Sequence, residues 1–134
     1  MKVIVDTDVW SEAFRKRGEK SLYLAELKTL IEESRVELLG VVKLQILCGI
    51  RDRLVFDRIA KSLSPFPTHA MTSEVFFTAA EFFNTCRSKG IQGSNNDFLI
   101  CAASALWGLP ILTKDQDFKR YQKHLPISLA SSPK

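Results

Sequence analysis

The stretch VIVDTDVWSEAF, residues 3–14, places three aliphatic residues in a row and then two aspartates one residue apart. A short, β-branched, unbroken apolar run of this kind reads as a strand buried on both faces rather than as one stripe of a helix. It stops at Asp6. From Asp8 to about Arg17, the residues Val9, Trp10, Ala13 and Phe14 fall at helical spacing, with Thr7 or Asp8 as N-cap and Gly18 as a stop. The chain therefore opens with a strand that ends on a carboxylate and turns at once into a helix.

The same alternation continues downstream. Ser21 to Glu33 predicts a second helix with Leu22, Leu24, Ala25, Leu27, Leu30 and Ile31 as its buried stripe. VELLG, ending at Gly40, predicts a second strand, and VVKLQILCGI a mostly buried helix broken at Gly49. RDRLVFDRIAKSLS predicts a helix with Leu54, Val55, Ile59 and Leu63 on one face. Pro65 and Pro67 end it, and FPTH is assigned as a short edge strand. Thr72 or Ser73 opens a helix to about Lys89 with Val75, Phe76, Ala79, Ala80, Phe82 and Phe83 inside, closed by Gly90. After the loop IQGSNN, Asp97 to Trp107 predicts an apolar helix capped by Asn95 or Asn96 and stopped by Gly108. LPILT, a short helix within KDQDFKRY, and LPISL complete the series as strand, helix and strand.

Strands separated by helices predict an α/β fold, a three-layer α/β/α sandwich around a mainly parallel sheet, as a single domain over residues 1–134. The composition agrees, with 46% hydrophobic and 25% charged residues in an ordinary soluble balance. No apolar run approaches a membrane span, and MKVIVD lacks a signal-peptide core, so the expected location is the cytoplasm. Cys48, Cys86 and Cys101 are widely spaced in apolar surroundings and read as reduced buried thiols. His69 and His124 stand in proline-flanked loops with no partner at metal-ligand spacing and read as surface residues.

In parallel α/β folds ligands gather beyond the carboxyl ends of the strands. Asp6 follows the first strand, and Asp115 and Asp117 follow PILT. Asp97 opens a helix, and the helix after a strand in a right-handed crossover starts on that edge. Each residue alone has a plainer reading. Asp97 and Asp8 suit helix caps, Asp117 suits a helix start, and Thr113 an ordinary strand end. Independent caps, however, have no reason to gather on one rim. Converging carboxylates repel each other unless a cation joins them or they hold protons, and Mg²⁺ or Mn²⁺ favours such oxygen donors together with water. One or two such ions can acidify a water and stabilise charge on a phosphate. A net charge of +4 around an acidic hole suits a polyanion.

The residues VIVDTDVW, LQILCGI and RSKGIQGSNNDFLICAASALWGLPILTKDQDF, together with the overall length, resemble the PIN-domain ribonucleases, and among them the short VapC-type toxins of toxin–antitoxin pairs. The resemblance implies a Mg²⁺- or Mn²⁺-dependent endoribonuclease with an RNA substrate, a cognate antitoxin protein covering the site, and a homodimer. It implies Asp6, Asp97 and Asp115 as metal-site carboxylates supported by Thr113, with Asp117 either a further ligand or a group behind one. It also implies a glutamate where this chain carries Gln45, and an amide offers a carbonyl oxygen but no charge. Three outcomes follow: a weakened nuclease, a site completed by Asp117 or Asp8, or a module that only binds RNA or an antitoxin. Glu37 and Glu74 are poor substitutes by position. The apolar faces of LVFDRIAKSL and of the second helix are candidates for an antitoxin groove, or for packing on the domain's own core.

Two rivals fit parts of the same residues. VIVDTDVW also matches the apolar strand and D-x-D-x-V of haloacid-dehalogenase-like phosphatases, in which Asp6 would be the nucleophile and Asp8 the acid and base. That scheme has no use for the Asp97 helix. A receiver domain with Asp57 and Lys114 would need Asp57 at a strand end, whereas LVFDRIAKSL reads as a helix.

Overall fold

The computed structural model describes residues 1–15 and 21–130, and the expected stop at Gly18 lies outside them. Val3–Val5 forms β1 with all three residues buried. It is the centre of a sheet ordered β2-β1-β3, in which β2 is Val36–Glu37 and β3 is Ile111–Leu112. Both pairings are parallel, with Ile4 opposite Glu37 on one side and Ile111 on the other. Every strand residue is buried, so helices must cover both faces, which is the predicted three-layer arrangement. The core residues Ile4, Leu38, Leu39, Ile100 and Ile111 are completely buried.

Two expected strands are absent. FPTH carries no strand, because Pro65 and Pro67 cannot donate to a ladder. LPISL contributes only a single parallel bridge from Leu129 to Ile111. Among the described residues there are seven helices: α1 Thr7–Arg15, α2 Leu22–Glu32, α3 Gly40–Leu47, α4 Arg53–Leu63, α5 Ser73–Ser88, α6 Asn95–Trp107 and α7 Asp117–Gln122. Gly108 ends α6 in the left-handed conformation, at φ 65°, as the stop signal predicts. The cap of α6 differs from expectation. Ser94, not Asn95 or Asn96, accepts the backbone N–H of Asp97 at 3.1 Å.

Several side chains sit outside the predicted core. Leu54, assigned to a buried face of α4, is 81% exposed, and Phe76 of α5 is also exposed. The narrower apolar stripes Ile59 with Leu63, and Val75 with Ala79 and Cys86, do the packing. Cys86 and Cys101 are buried as expected, but Cys48 is exposed because α3 ends at Leu47 and the chain then turns outward toward Gly49. Among the described residues no helix is long and apolar enough to cross a membrane.

The sheet fixes two functional ends. The strands run toward Asp6 and Thr113 at one edge, where α6 begins. Lys2 and Leu109 precede the strands at the other edge, near Trp107 at the end of α6, and all three border one cavity.

Candidate active site

Asp6 leaves β1 with its carboxylate doubly held: Oδ1 accepts the Thr7 N–H at 2.7 Å and Oδ2 accepts the Thr113 hydroxyl at 2.8 Å. Thr113 stands just past β3, so this second bond ties the ends of two adjacent strands together. Its oxygen also accepts the N–H of Asp115 at 3.0 Å, and Asp115 Oδ1 accepts the N–H of Asp117 at 2.9 Å. A chain of hydrogen bonds thus runs from Asp6 through Thr113 to Asp115. Asp117 supplies its backbone to that chain, while its carboxylate faces the Arg120 guanidinium at 3.3 Å.

Asp97 reaches the rim from the first turn of α6, and Tyr121 of α7 donates to its Oδ2 at 2.7 Å. Gln45 is placed through Thr7, whose hydroxyl donates to the amide oxygen at 2.7 Å. Asp8, in the first turn of α1, accepts the Lys114 N–H at 3.1 and 3.3 Å. That bond sets it beside the segment joining Thr113 to Asp115. The Lys114 ammonium in turn pairs with the buried Glu12.

The electrostatics follow from this crowding. Burial first, and then the charge of Asp8, raise the Asp6 carboxyl to about 6, against the hydrogen bonds from Thr113 and Thr7. Asp8 is pushed up by burial and further by Asp115, with the Lys114 N–H opposing. Asp97 is pushed up by burial and by Asp115, with Tyr121 opposing. The Tyr121 hydroxyl is itself driven upward by burial and by Asp97, so it stays a donor. Burial and the charges of Asp97 and Asp6 keep the Cys101 thiol protonated and unreactive.

This donor set suits a hard divalent cation, because it offers carboxylate oxygens at a half-buried edge that already carries too much negative charge. As placed, no three Asp, Glu, His or Cys side chains among the described residues converge closely enough to enclose one ion. Coordination by one or two carboxylates, completed by water, is the mode such a geometry admits. Ser94, which caps α6, also donates to the Asp97 carboxyl and opposes its upward shift.

Sequence reasoning missed Thr7, Tyr121, Gly93 and the Lys114–Glu12 pair. Gly93 lies in the loop before α6, and a Cβ there would collide with the Tyr121 hydroxyl and approach Phe98 to 2.9 Å. A glycine one residue before a helix cap was the available signal. His69 is exposed, as the sequence reading has it, but it faces a carboxylate that sequence did not reveal. Its Nδ1 lies 2.7 Å from Oε2 of the buried Glu37, at the opposite edge of the sheet.

Comparison with known proteins agrees with this architecture. The family model for the PIN domain matches residues 3–124, and the chain belongs to the PIN-domain family. A VapC ribonuclease, Mb1587, of Mycobacterium bovis is 28% identical over 120 residues, covering 87% of this chain and 88% of that protein. In fold, the chain is similar to the structure of VapBC2 from Rickettsia felis bound to a promoter DNA fragment, with TM-score 0.79, 19% identity and 97% and 98% of the two chains covered. It is also similar to DNA-bound VapBC from Salmonella typhimurium, with TM-score 0.78, 15% identity and 97% of each chain covered.

Proposed function

We propose that this PIN-domain chain, a single domain along its length, is a Mg²⁺- or Mn²⁺-dependent endoribonuclease and the toxin of a VapBC-type pair. The observation that carries this reading is the crowded rim, where Asp6 is raised to about 6 and Asp8 and Asp97 are pushed the same way. A protein evolves such repulsion at a strand edge most simply to attract a cation. The named ribonuclease among its relatives and the antitoxin-bound proteins among its fold neighbours support the same reading.

In this mechanism Asp6, Asp97 and Asp115 would share the ion, one or two of them as direct ligands and the remainder through water. When bound, the ion supplies a more acidic water and charge stabilisation at the scissile phosphate. Thr113 and the Thr7 N–H fix both oxygens of Asp6, so that its carboxylate cannot rotate away. Tyr121 fixes one oxygen of Asp97, and Ser94 adds hydrogen bonds to the same carboxyl. Gln45 accepts from Thr7 as a glutamate would, but it adds no charge. Asp8 is the carboxylate seated to restore that charge, since it lies beside Asp6 and Asp115 while Asp117 is turned to Arg120. The partners are an RNA substrate, an antitoxin and a second copy of the chain, acting in the cytoplasm. The exposed Leu54 of α4, Leu22 and Ile31 of α2, and Phe76 and Phe77 of α5 are among the apolar side chains available to protein partners.

The decisive assay incubates pure protein with structured RNA and Mg²⁺ or Mn²⁺. Cleavage should require the ion, fall to background in Asp6→Asn and increase in Gln45→Glu. Inert wild-type and Gln45→Glu proteins that still bind RNA would reject the nuclease.

A further inference from the structure

The edge of the sheet opposite the aspartates holds a polar arrangement that the nuclease reading does not use. Glu37 of β2 is completely buried, and neither of its carboxylate oxygens makes a geometrically satisfactory hydrogen bond. Its Oε2 lies at ion-pair distance, 2.7 Å, from Nδ1 of His69. Burying a carboxylate in a strand is costly, and leaving its oxygens unmatched adds to the cost. The His69 side chain is 56% exposed and belongs to the segment 64–72, which has neither helix nor strand. Its ring centroid lies 5.0 Å from that of Trp107. Lys2, Glu37, His69, Trp107 and Leu109 bound a cavity of about 400 Å³.

A planar, chargeable ring thus covers a buried carboxylate beside an indole, and it does so from the solvent side. A guanidinium group matches that description better than the imidazole does. It is planar, it packs on indole faces, and its forked donors engage both oxygens of a carboxylate, which the His69 ring does not satisfy. An ammonium offers neither the fork nor the flat face. We propose that this cavity is a guanidinium-binding site, with Glu37 as its floor and Trp107 as its wall, in which His69 is a resident stand-in displaced by the ligand. Lys2 borders the same cavity without pairing with Glu37, and its charge opposes a cationic ligand, so affinity rests on the carboxylate. The guanidinium comes either from a small free guanidine or from an arginine side chain on another protein.

The test is a titration of the isotope-labelled full chain, following the Trp107 indole N–H by NMR with the Trp10 indole as internal reference. The probes are methylguanidinium, a blocked Ala-Arg-Ala tripeptide, and methylammonium as control. Both guanidines should give a saturable shift at Trp107 that methylammonium does not. Removing the competing ring in His69→Ala should tighten binding about tenfold, with His69→Gln as the gentler variant if the first folds poorly. Glu37→Gln should abolish the shift. A tripeptide that binds tighter than methylguanidinium identifies a protein arginine as the source, and equal binding identifies a small guanidine. No saturable shift in wild type and in the His69 variants, or a shift indifferent to Glu37→Gln, overturns the site. RNA cleavage plays no part in this readout, so the two proposals fail separately.

Discussion

At one end of the sheet, Asp6, Asp8 and Asp97 share a rim with Asp115, and burial first, then neighbouring negative charge, raises the proton affinity of those three. At the other end, Glu37 lies deeper than any of them yet is held by a single histidine. Both ends bury negative charge next to the same strands. The far end sets a lone carboxylate against one ring, whereas the rim spends its hydrogen bonds on orientation and leaves the repulsion among several carboxylates unresolved. That contrast separates a carboxylate that the fold accommodates from carboxylates that the fold tolerates for another purpose.

The strongest way to break the comparison is to neutralise one charge at the rim. Asp6→Asn should lose RNA cleavage entirely yet gain stability, by up to about 3 kcal/mol at neutral pH given a displacement of roughly two pKa units. Chemical denaturation without divalent ions would show it. The same displacement sets a pH trend. Because the folded carboxyl titrates at about 6, above its unfolded 3.8, the folded protein holds the extra proton in that interval, and stability contributed by protonated Asp6 is lost as pH rises through 6. Wild-type melting temperature should therefore be lower at pH 7.5 than at pH 5.5, and millimolar Mg²⁺ should flatten the difference.

At the far end the sign reverses. His69→Ala should destabilise by about 2 kcal/mol, less than a fully buried pair would because the imidazole is more than half exposed. Gly93→Ala should cost about 1–3 kcal/mol through overpacking against Tyr121 and Phe98. It should also weaken divalent-ion binding, since Tyr121 can no longer reach Asp97. The smallest effect is expected from Thr113→Val, which leaves Asp6 in place but held at Oδ1 alone. Its divalent-ion affinity, measured by calorimetry, should fall about tenfold with the fold intact.

The rim was readable from sequence because each member ends or begins a periodic segment. Asp6 stops an apolar run, Asp97 opens one, and Asp115 follows one. What sequence could not supply was orientation. Asp8 and Asp117 look alike in the chain, but the Lys114 N–H draws one into the cluster and Arg120 draws the other away. Tyr121 was hidden because an aromatic at helical spacing reads as core, and it is core apart from its hydroxyl. The pairing of Glu37 with His69 was invisible for a different reason. It joins a strand to an irregular segment, and no period connects them. FPTH forms no strand because Pro65 and Pro67 lack the donors that a ladder needs.

The hydroxyl of Thr7 gives Gln45 a history as well as a position. A glutamate at 45 would accept the same hydrogen bond at the same point, so exchanging amide for acid requires no neighbour to move. The genetic code places glutamine and glutamate one base apart. A single base change can therefore alter the charge at position 45 while the Thr7 hydrogen bond stays in place.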